Sequence, residues 1–318
     1  MQFDQENVES FFYWINERHS IYLKRLHGEP APWTDDDILR DYKFTNPFRE
    51  NDAVTIWMRQ NWTHPNSNKP WGEQIFNVCL FRMFGTIEFA EAAGWQDDWN
   101  PEYLKAVART RLDNKQKVFT GAYIITNQGL KLPKEEVVVD KFLGPIWQSK
   151  DDLADLANND PYLQVLHNEL GKFRGFGGGG FMAYEVVTDL NYTPVLSLAF
   201  DKYRWANAGP GAKRGLNRLS NRPLNSSSSD WNTEMRVLLE DLAPRHIGSH
   251  IPKEDVDMRC IEHSLCEWDK YTRVLRDEGR PRSKVNYTWG MNYPVNSGTV
   301  NTDIADYGPE NRGWDYNG

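Results

Sequence analysis

Apolar residues recur along most of this chain at three- and four-residue intervals, the period of a helix with one buried face. Val8, Phe11, Phe12, Ile15, Tyr22, Leu23 and Leu26 share such a face and predict a helix over 4–27. Gly28 and the proline-rich stretch after it stop that helix. Thr34, three residues before Asp37, reads as an N-cap for a short helix carrying Ile38, Leu39 and Tyr42. Asn51-Asp52 caps a helix over 53–60. Residues 72–84 are apolar on nearly every face, which marks a central core helix. Pro101 opens another helix, to about 114, in the position proline favours. Helices follow over 142–157, 161–170, 231–242 and 256–277. Strand-like patterning is confined to 122–125 and 137–139, which predict a short hairpin. The serine run 226–229 reads as a loop, and the tail 286–318 has no period and is expected to be loose. The expected architecture is mostly α: a single two-lobed helical domain over 1–285, followed by that tail.

Composition changes this picture little. Hydrophobic residues at 39% and aromatics at 13% suffice for a core in a chain of 318 residues. Thirteen tryptophans suggest that several line a groove, since Trp is rarely fully buried. The net charge of -8 argues against a protein coated in nucleic acid, but it allows a local basic groove on an acidic body. Cys79, Cys260 and Cys266 form neither a disulfide framework nor a metal-ligand pair, and Cys79 sits in an apolar run. With a polar N-terminus and no apolar span of membrane length, a soluble protein of a reducing cytoplasm is expected.

Candidate chemistry concentrates in residues 162–219. A helix there ends in glycines, and a second helix starts directly after Gly180. Gly175, Gly177 and Gly179 in such a connection leave backbone N–H groups at the second helix's start, a ready anion contact. A plain packing turn accounts for the glycines equally well. Phe181, Met182, Ala183 and Val186 would seat the second helix on the first. Neither a Walker loop nor a Rossmann fingerprint is present. Asp201 follows, and then a basic stretch, Gly209-Pro210-Gly211-Ala212-Lys213-Arg214, with the character of an anion-binding loop.

Gly175-Phe176-Gly177, followed by Asp201 a little over twenty residues on, resembles the helix-hairpin-helix and catalytic aspartate of DNA base-excision glycosylases. Arg174 replaces the prolyl position, and Gly178 to Gly180 are extra. A wider, ordered set of segments resembles the α-glutamyl/putrescinyl-thymine pyrophosphorylases, which are phage amino acid:DNA transferases. That family is related to the helical domain of 5-hydroxymethyluridine DNA kinases. The segments include Trp14-Ile15-Asn16-Glu17-Arg18, Pro32-Trp33-Thr34-Asp35-Asp36-Asp37, Phe44-Thr45-Asn46-Pro47-Phe48-Arg49 and Ile261-Glu262-His263-Ser264-Leu265-Cys266-Glu267.

The resemblance implies hypermodification of thymine in double-stranded DNA. An amine would displace pyrophosphate from a 5-pyrophosphoryloxymethyl-deoxyuridine whose base has been flipped out of the helix. Asp201 is then the first candidate for the general base, with Glu262 and Glu267 next. Arg49, Lys213 and Arg214, backed by Lys270 and Arg40, are candidates for holding the leaving group. Glu17 would hold the amine, Asn46 belongs to the same substrate-binding set, and Phe44, Trp33 or Trp205 would stack on the base. Gly175, Gly177 and Gly179 would contact the DNA backbone. No cofactor is called for, although pyrophosphate chemistry is open to Mg²⁺. A 5-hydroxymethyluridine DNA kinase is the implied protein partner, no membrane is, and the location would be the host cytoplasm of a phage.

Plain structural readings stand beside these. Arg49 would pair with Asp52, and Glu267 with Lys270 within one helix. Cys266 would be packed rather than nucleophilic, and His263 an ordinary histidine. Alternative functions are a DNA glycosylase and a non-catalytic DNA-binding subunit of a base-modifying kinase.

Overall fold

The computed structural model describes residues 3–228, 230–281 and 283–285, so the expected tail over 286–318 lies outside it. The protein is all-helical. Among the described residues the only β pairing is an isolated antiparallel bridge between Tyr42 and Lys284. No helix among them is long and apolar enough to cross a membrane. The chain clusters into two compact units, one from residues up to Ala53 together with those from Tyr203 on, the other from Val54 to Lys202.

The first unit begins with α1 (Gln5–Leu26) and α2 (Asp37–Asp41). At the boundary the chain enters α3 (Ala53–Met58) and then runs through the second unit. There it forms α4 (Trp71–Phe84), α5 (Ile87–Ala93), α6 (Pro101–Asp113), α7 (Lys134–Glu136) and α8 (Gly144–Gln148). The second unit closes with α9 (Lys150–Asn159), α10 (Leu163–Leu170) and α11 (Phe181–Leu190). Back in the first unit come α12 (Pro210–Leu219), α13 (Trp231–Arg236), α14 (Ala243–His246) and α15 (Met258–Leu275).

In the first unit α15 is the spine, and α12, α1, α13 and α2 pack on it. The α12–α15 approach explains the glycines of the supposed basic loop. Pro210 opens a helix, not a loop, so Lys213 and Arg214 lie on its second turn. A Cβ at Gly211 would come within 2.3 Å of Cys266 Sγ, and one at Gly215 within 2.6 Å of the Leu265 carbonyl oxygen. These glycines therefore let two helix backbones meet closely. Between the helices, buried Asp269 accepts from Arg214 Nε at 2.9 Å and Arg218 Nε at 2.7 Å. Arg218 continues to Glu278. On the other flank Phe11 meets Trp268 edge-on at 5.8 Å.

In the second unit α4 is buried on nearly every face, as its sequence predicts, with α9 and α11 packed against it. Arg82 on α4 pairs with the fully buried Asp189 of α11, Nη2 to Oδ1 at 2.8 Å, with Glu185 at 3.7 Å. The expected hairpin at 122–125 and 137–139 does not form. Val137, Val138 and Val139 lie instead in a π-helical segment, Val137–Leu143, with no exposed surface. Burial on all sides outweighs β propensity here. Of the tryptophans, Trp14, Trp62, Trp205 and Trp268 are core, Trp99 and Trp147 flank Phe76 in an aromatic cluster, and Trp33 lines a cleft.

Candidate functional site

The glycine connection joins α10 to α11, which pack on each other. Gly175 has φ +92°, and a Cβ there would strike the Phe142 ring at 2.6 Å. A Cβ at Gly177 would meet the Gly171 carbonyl oxygen at 2.7 Å. Both positions are fixed by the turn itself. Gly179 has neither a positive φ nor a neighbour within 4 Å of an added Cβ, so the fold places no steric demand on it. Gly180 caps α11 in the left-handed conformation. Met182, Ala183 and Val186 seat α11 as expected. Phe181 does not: it is half exposed and meets Tyr123 edge-on, because its position at the first turn faces outward.

Asp201 lies in the same unit and is buried. Its carboxylate accepts the Leu163 N–H at 2.7 Å and the Gln164 N–H at 2.9 Å, satisfying two of the free amides at the start of α10. The spacing between glycine turn and aspartate therefore has a structural cause, because one element ends at the turn and begins at the aspartate.

The other candidate side chains belong to the first unit. Segment 44–46 hangs between α1 and α15. Arg18 Nε donates to the Phe44 carbonyl at 3.0 Å, and Glu267 Oε2 accepts the Thr45 N–H at 3.2 Å. Thr45 Oγ1 shares a 2.6 Å hydrogen bond with His263 Nε2. Lys270 reaches Glu267 Oε1 at 2.5 Å, the intrahelical pair expected from spacing. Burial works against charge on Glu267, but Lys270, then His263, the Lys270 hydrogen bond and the Thr45 amide outweigh it. Its carboxyl is held below the usual carboxylate range.

Glu262, one turn earlier, pairs with Arg259 at 2.8 Å and accepts the Gly209 N–H at 3.3 Å. Asn46 is buried and donates to the Asn51 carbonyl at 3.2 Å. Arg49 starts a short 3-10 turn, Arg49–Asn51. Phe44 is buried between Trp14 and Tyr271, each 6.2 Å from it edge-on, so its ring faces are enclosed by core and not presented for stacking. Trp205 is likewise buried. Lys213 Nζ sits 6.0 Å from the Trp231 ring centroid. Cys266 is packed against α12, and burial pushes its thiol up to about 12, which leaves it unreactive.

Two cavities flank the segment Trp33-Thr34 in this unit. One is an open cleft of about 490 Å³ with Tyr13, Glu17, Asp35 and Asp36 in its wall. Thr34, expected to cap α2, donates its hydroxyl to Glu17 Oε1 at 2.6 Å, and Asp36 is the cap instead. Asp36 also accepts from Tyr13 at 3.1 Å and Tyr271 at 2.7 Å. The second cavity, of about 30 Å³, is walled by Arg18, Arg25, Arg40 and Lys43 with aromatic side chains. Sequence reasoning found Arg40 and missed the other three.

Glu17, Arg40, Phe44, Asn46, Glu262, Glu267 and Lys270 thus belong to one unit, while Asp201 and the glycine turn belong to the other. Among the described residues no three His, Cys, Asp or Glu side chains are grouped as a metal ion would require.

The chain is 28% identical over 311 residues to a 5-hmdU DNA kinase of Bacillus phage SP10, with 86% of the chain covered. It spans about half the length of that relative, 48%. No solved structure matches. The model of the helical domain of 5-hmdU DNA kinases matches residues 5–280, nearly all of the described fold, and the chain belongs to that family.

Proposed function

We propose that the protein modifies thymine-derived bases in DNA by displacing pyrophosphate from 5-pyrophosphoryloxymethyl-deoxyuridine with an amine. The observation that carries this reading is the match of residues 5–280 to a helical domain named for kinases of hydroxymethylated deoxyuridine in DNA. Two phosphoryl transfers onto the hydroxymethyl group, the first of them the reaction such a kinase is named for, make the diphosphate ester that a displacement consumes. The amine lone pair attacks the exocyclic methylene carbon, the C–O bond to diphosphate breaks, and the proton lost from nitrogen goes to a carboxylate. Glu267 is our choice for that carboxylate. It is buried, kept ionised by Lys270, and linked through Thr45 to His263. Asp201 has a structural task that explains its burial, so its part is to hold α10 and with it the glycine turn that would grip DNA. Any Mg²⁺ would arrive on the phosphoryl oxygens. The reading places the protein in the same sequence of reactions as a 5-hydroxymethyluridine DNA kinase, acting on double-stranded DNA.

The test is to incubate the protein with DNA carrying the pyrophosphorylated base and a pool of amines, digest the DNA, and weigh the nucleosides. A new nucleoside with release of pyrophosphate is expected, and Glu267→Gln should abolish both. Absence of product with every amine would sink the reading. A second reading, a DNA-recognition domain serving a kinase, draws on the coverage of about half of a 5-hmdU DNA kinase. In that case DNA binding persists without product, and adding the kinase stimulates phosphorylation.

A further inference from the structure

Between α6 and α7 the chain runs from Asn114 to Pro133 with neither helix nor strand. Connections of that length inside a compact unit are uncommon and mostly functional. This one is held at several points. The Thr120 N–H donates to the Phe84 carbonyl at 2.8 Å, and the Tyr123 hydroxyl to the Arg82 carbonyl at 2.6 Å. Gly85 leaves room for both, since a Cβ there would lie 2.6 Å from the Tyr123 hydroxyl and 2.7 Å from the Thr120 side chain. Val118 and Ile125 are buried. Asn127 Nδ2 donates to the Leu132 carbonyl at 2.8 Å and closes the far end of the loop. Two contacts join the loop to the glycine turn of the same unit. Arg174 Nη2 donates to the Gln128 carbonyl at 2.6 Å, and Tyr123 meets Phe181 edge-on at 5.4 Å.

The loop presents charge of one sign. Residues 114–134 carry Lys115, Lys117, Lys131 and Lys134 and no Asp or Glu, in a chain whose 45 acidic residues outnumber its 37 basic ones. Lys115, Lys117 and Lys131 are exposed, and none of the four lysines has an ion pair among the described residues. Asp113 on one side and Glu135 and Glu136 on the other bound the stretch, and Arg109 takes up the two glutamates. The turn adds Arg174 and Lys172, both exposed, and the surface pair of Lys172 with Glu169 is of little worth. Gly178 of the turn is exposed at φ +73°, and an added Cβ meets nothing within 4 Å, so its backbone is open to close approach.

Ile124 is 86% exposed, the most of any large apolar side chain among the described residues, while Tyr123 before it and Ile125 after it are held inward. An apolar side chain held out on a fixed backbone, among unpaired cations, fits a partner with an anionic surface and an apolar interior within one side chain's reach. In duplex DNA the phosphates supply the surface and the base stack the interior, and isoleucine is among the side chains that enter base steps as wedges. A bilayer is layered in the same way, but holding to it takes a larger apolar face than Ile124 and the half-exposed Phe181.

We propose that the 114–134 loop and the adjoining glycine turn form a docking surface for duplex DNA, with the lysines on the phosphates and Ile124 entering the base stack. Opening one base step eases extrusion of the neighbouring base. The choice of DNA rests on the function proposed above. The cationic face and its apolar tip do not depend on it.

The experiment measures binding on the whole chain with no amine present. A short duplex carrying 2-aminopurine beside 5-hydroxymethyluracil is titrated across a salt series, with anisotropy for affinity and base emission for unstacking. Wild type is compared with Lys115→Gln/Lys117→Gln/Lys131→Gln, with Ile124→Ser, and with Lys69→Gln/Arg245→Gln/Lys253→Gln as a charge-matched control. At physiological salt the triple lysine variant should bind at least about ten-fold more weakly, and its salt slope should fall by about one for each lysine removed. The control should keep the wild-type slope. Base emission should rise when wild type binds, and Ile124→Ser should bind within about three-fold of wild type and lose that rise. Unchanged affinity and slope in the triple variant, equal losses in the control, an undiminished emission rise in Ile124→Ser, or binding to phosphatidylserine vesicles without binding to the duplex would each overturn the proposal. Loop-dependent binding with no nucleoside product would sink the displacement and leave this surface standing, whereas wild-type product formation and affinity in the triple variant would do the reverse. Circular dichroism of each variant separates lost binding from lost fold.

Discussion

His19 is the clearest case of a side chain whose surroundings set its chemistry. It is buried on α1 against Phe48, Tyr22 and the ring of His250, and its Nδ1 has no hydrogen-bond partner. Burial, with the neighbouring His250 and Arg18, pushes it down to about 4. A histidine with a lowered folded-state value binds its proton more readily once unfolded. Its contribution to stability is therefore complete above the ordinary value of 6.5, falls as pH drops towards 4, and is gone below that. Allowing for partial screening, the loss should be about 2 kcal/mol across that window. Urea unfolding at pH 7 and pH 4.5 checks this: His19→Gln should lose about 2 kcal/mol less than wild type between the two.

Asp201→Ala should cost about 1–2 kcal/mol, because two amides of α10 lose their acceptor. Asp201→Asn should recover part of that, since the amide oxygen still accepts. If instead Asp201→Asn keeps full stability and loses all product, the capping role is not its main one. Which residues would prove buried was the part of the site least legible in the sequence. Phe44 and Trp205 have the character of base-stacking residues, and only the contacts of Phe44 with Trp14 and Tyr271 place it in the core. Arg18 and Arg25 share a face of α1 with core residues and so read as helix solubilisers. Their meeting with Arg40 and Lys43 depends on how the 31–44 segment folds back on the helix.

At the scale of elements, helix existence and type were legible because amphipathic period and caps agree with the packing. Asp4, Asn100, Asp230 and Asp257 each accept an amide at a helix start. The valine run failed for the same reason that it is buried: local propensity lost to a site enclosed on all sides. The α12–α15 contact makes a sharp prediction. Gly215→Ala should destabilise by about 1–3 kcal/mol, since the new methyl meets a backbone carbonyl that cannot move aside. Gly211→Ala should cost a similar amount, but it meets the Cys266 thiol, so the double variant Gly211→Ala/Cys266→Ala should regain part of the loss. Chemical denaturation of the three variants decides between helix packing and an anion loop as the reason for these glycines. In the second unit, Asp189→Asn should cost about 3–5 kcal/mol, because Arg82 would be left buried with its main counter-charge removed.

Along the sequence of the whole molecule, one contiguous unit, Val54 to Lys202, interrupts a second unit built from the residues before and after it. Sequence patterning shows no trace of this, because a helix reveals its apolar face but not the distant partner that covers it. Asn7 on α1 donates to the Arg218 carbonyl at 2.9 Å, and the Asp4 N–H to the Leu219 carbonyl at 2.7 Å. These bonds tie the N-terminal helix to α12, more than two hundred residues later. A fragment of residues 54–202 should therefore unfold cooperatively by itself, whereas deleting residues 1–27 should leave α12 and α15 without their partner and abolish a distinct transition of the first unit. Differential scanning calorimetry of the two fragments tests both.

That discontinuity also sets a schedule during synthesis. α1 emerges well before α15, against which Phe11 packs and which is made more than two hundred residues later. At ~5–20 residues per second the helix waits on the order of ten to fifty seconds, while the unit between its partners can already fold. During that interval Phe11, Phe12, Trp14 and Ile15 have no core to enter, so the nascent chain offers the apolar face of α1 to ribosome-bound chaperones.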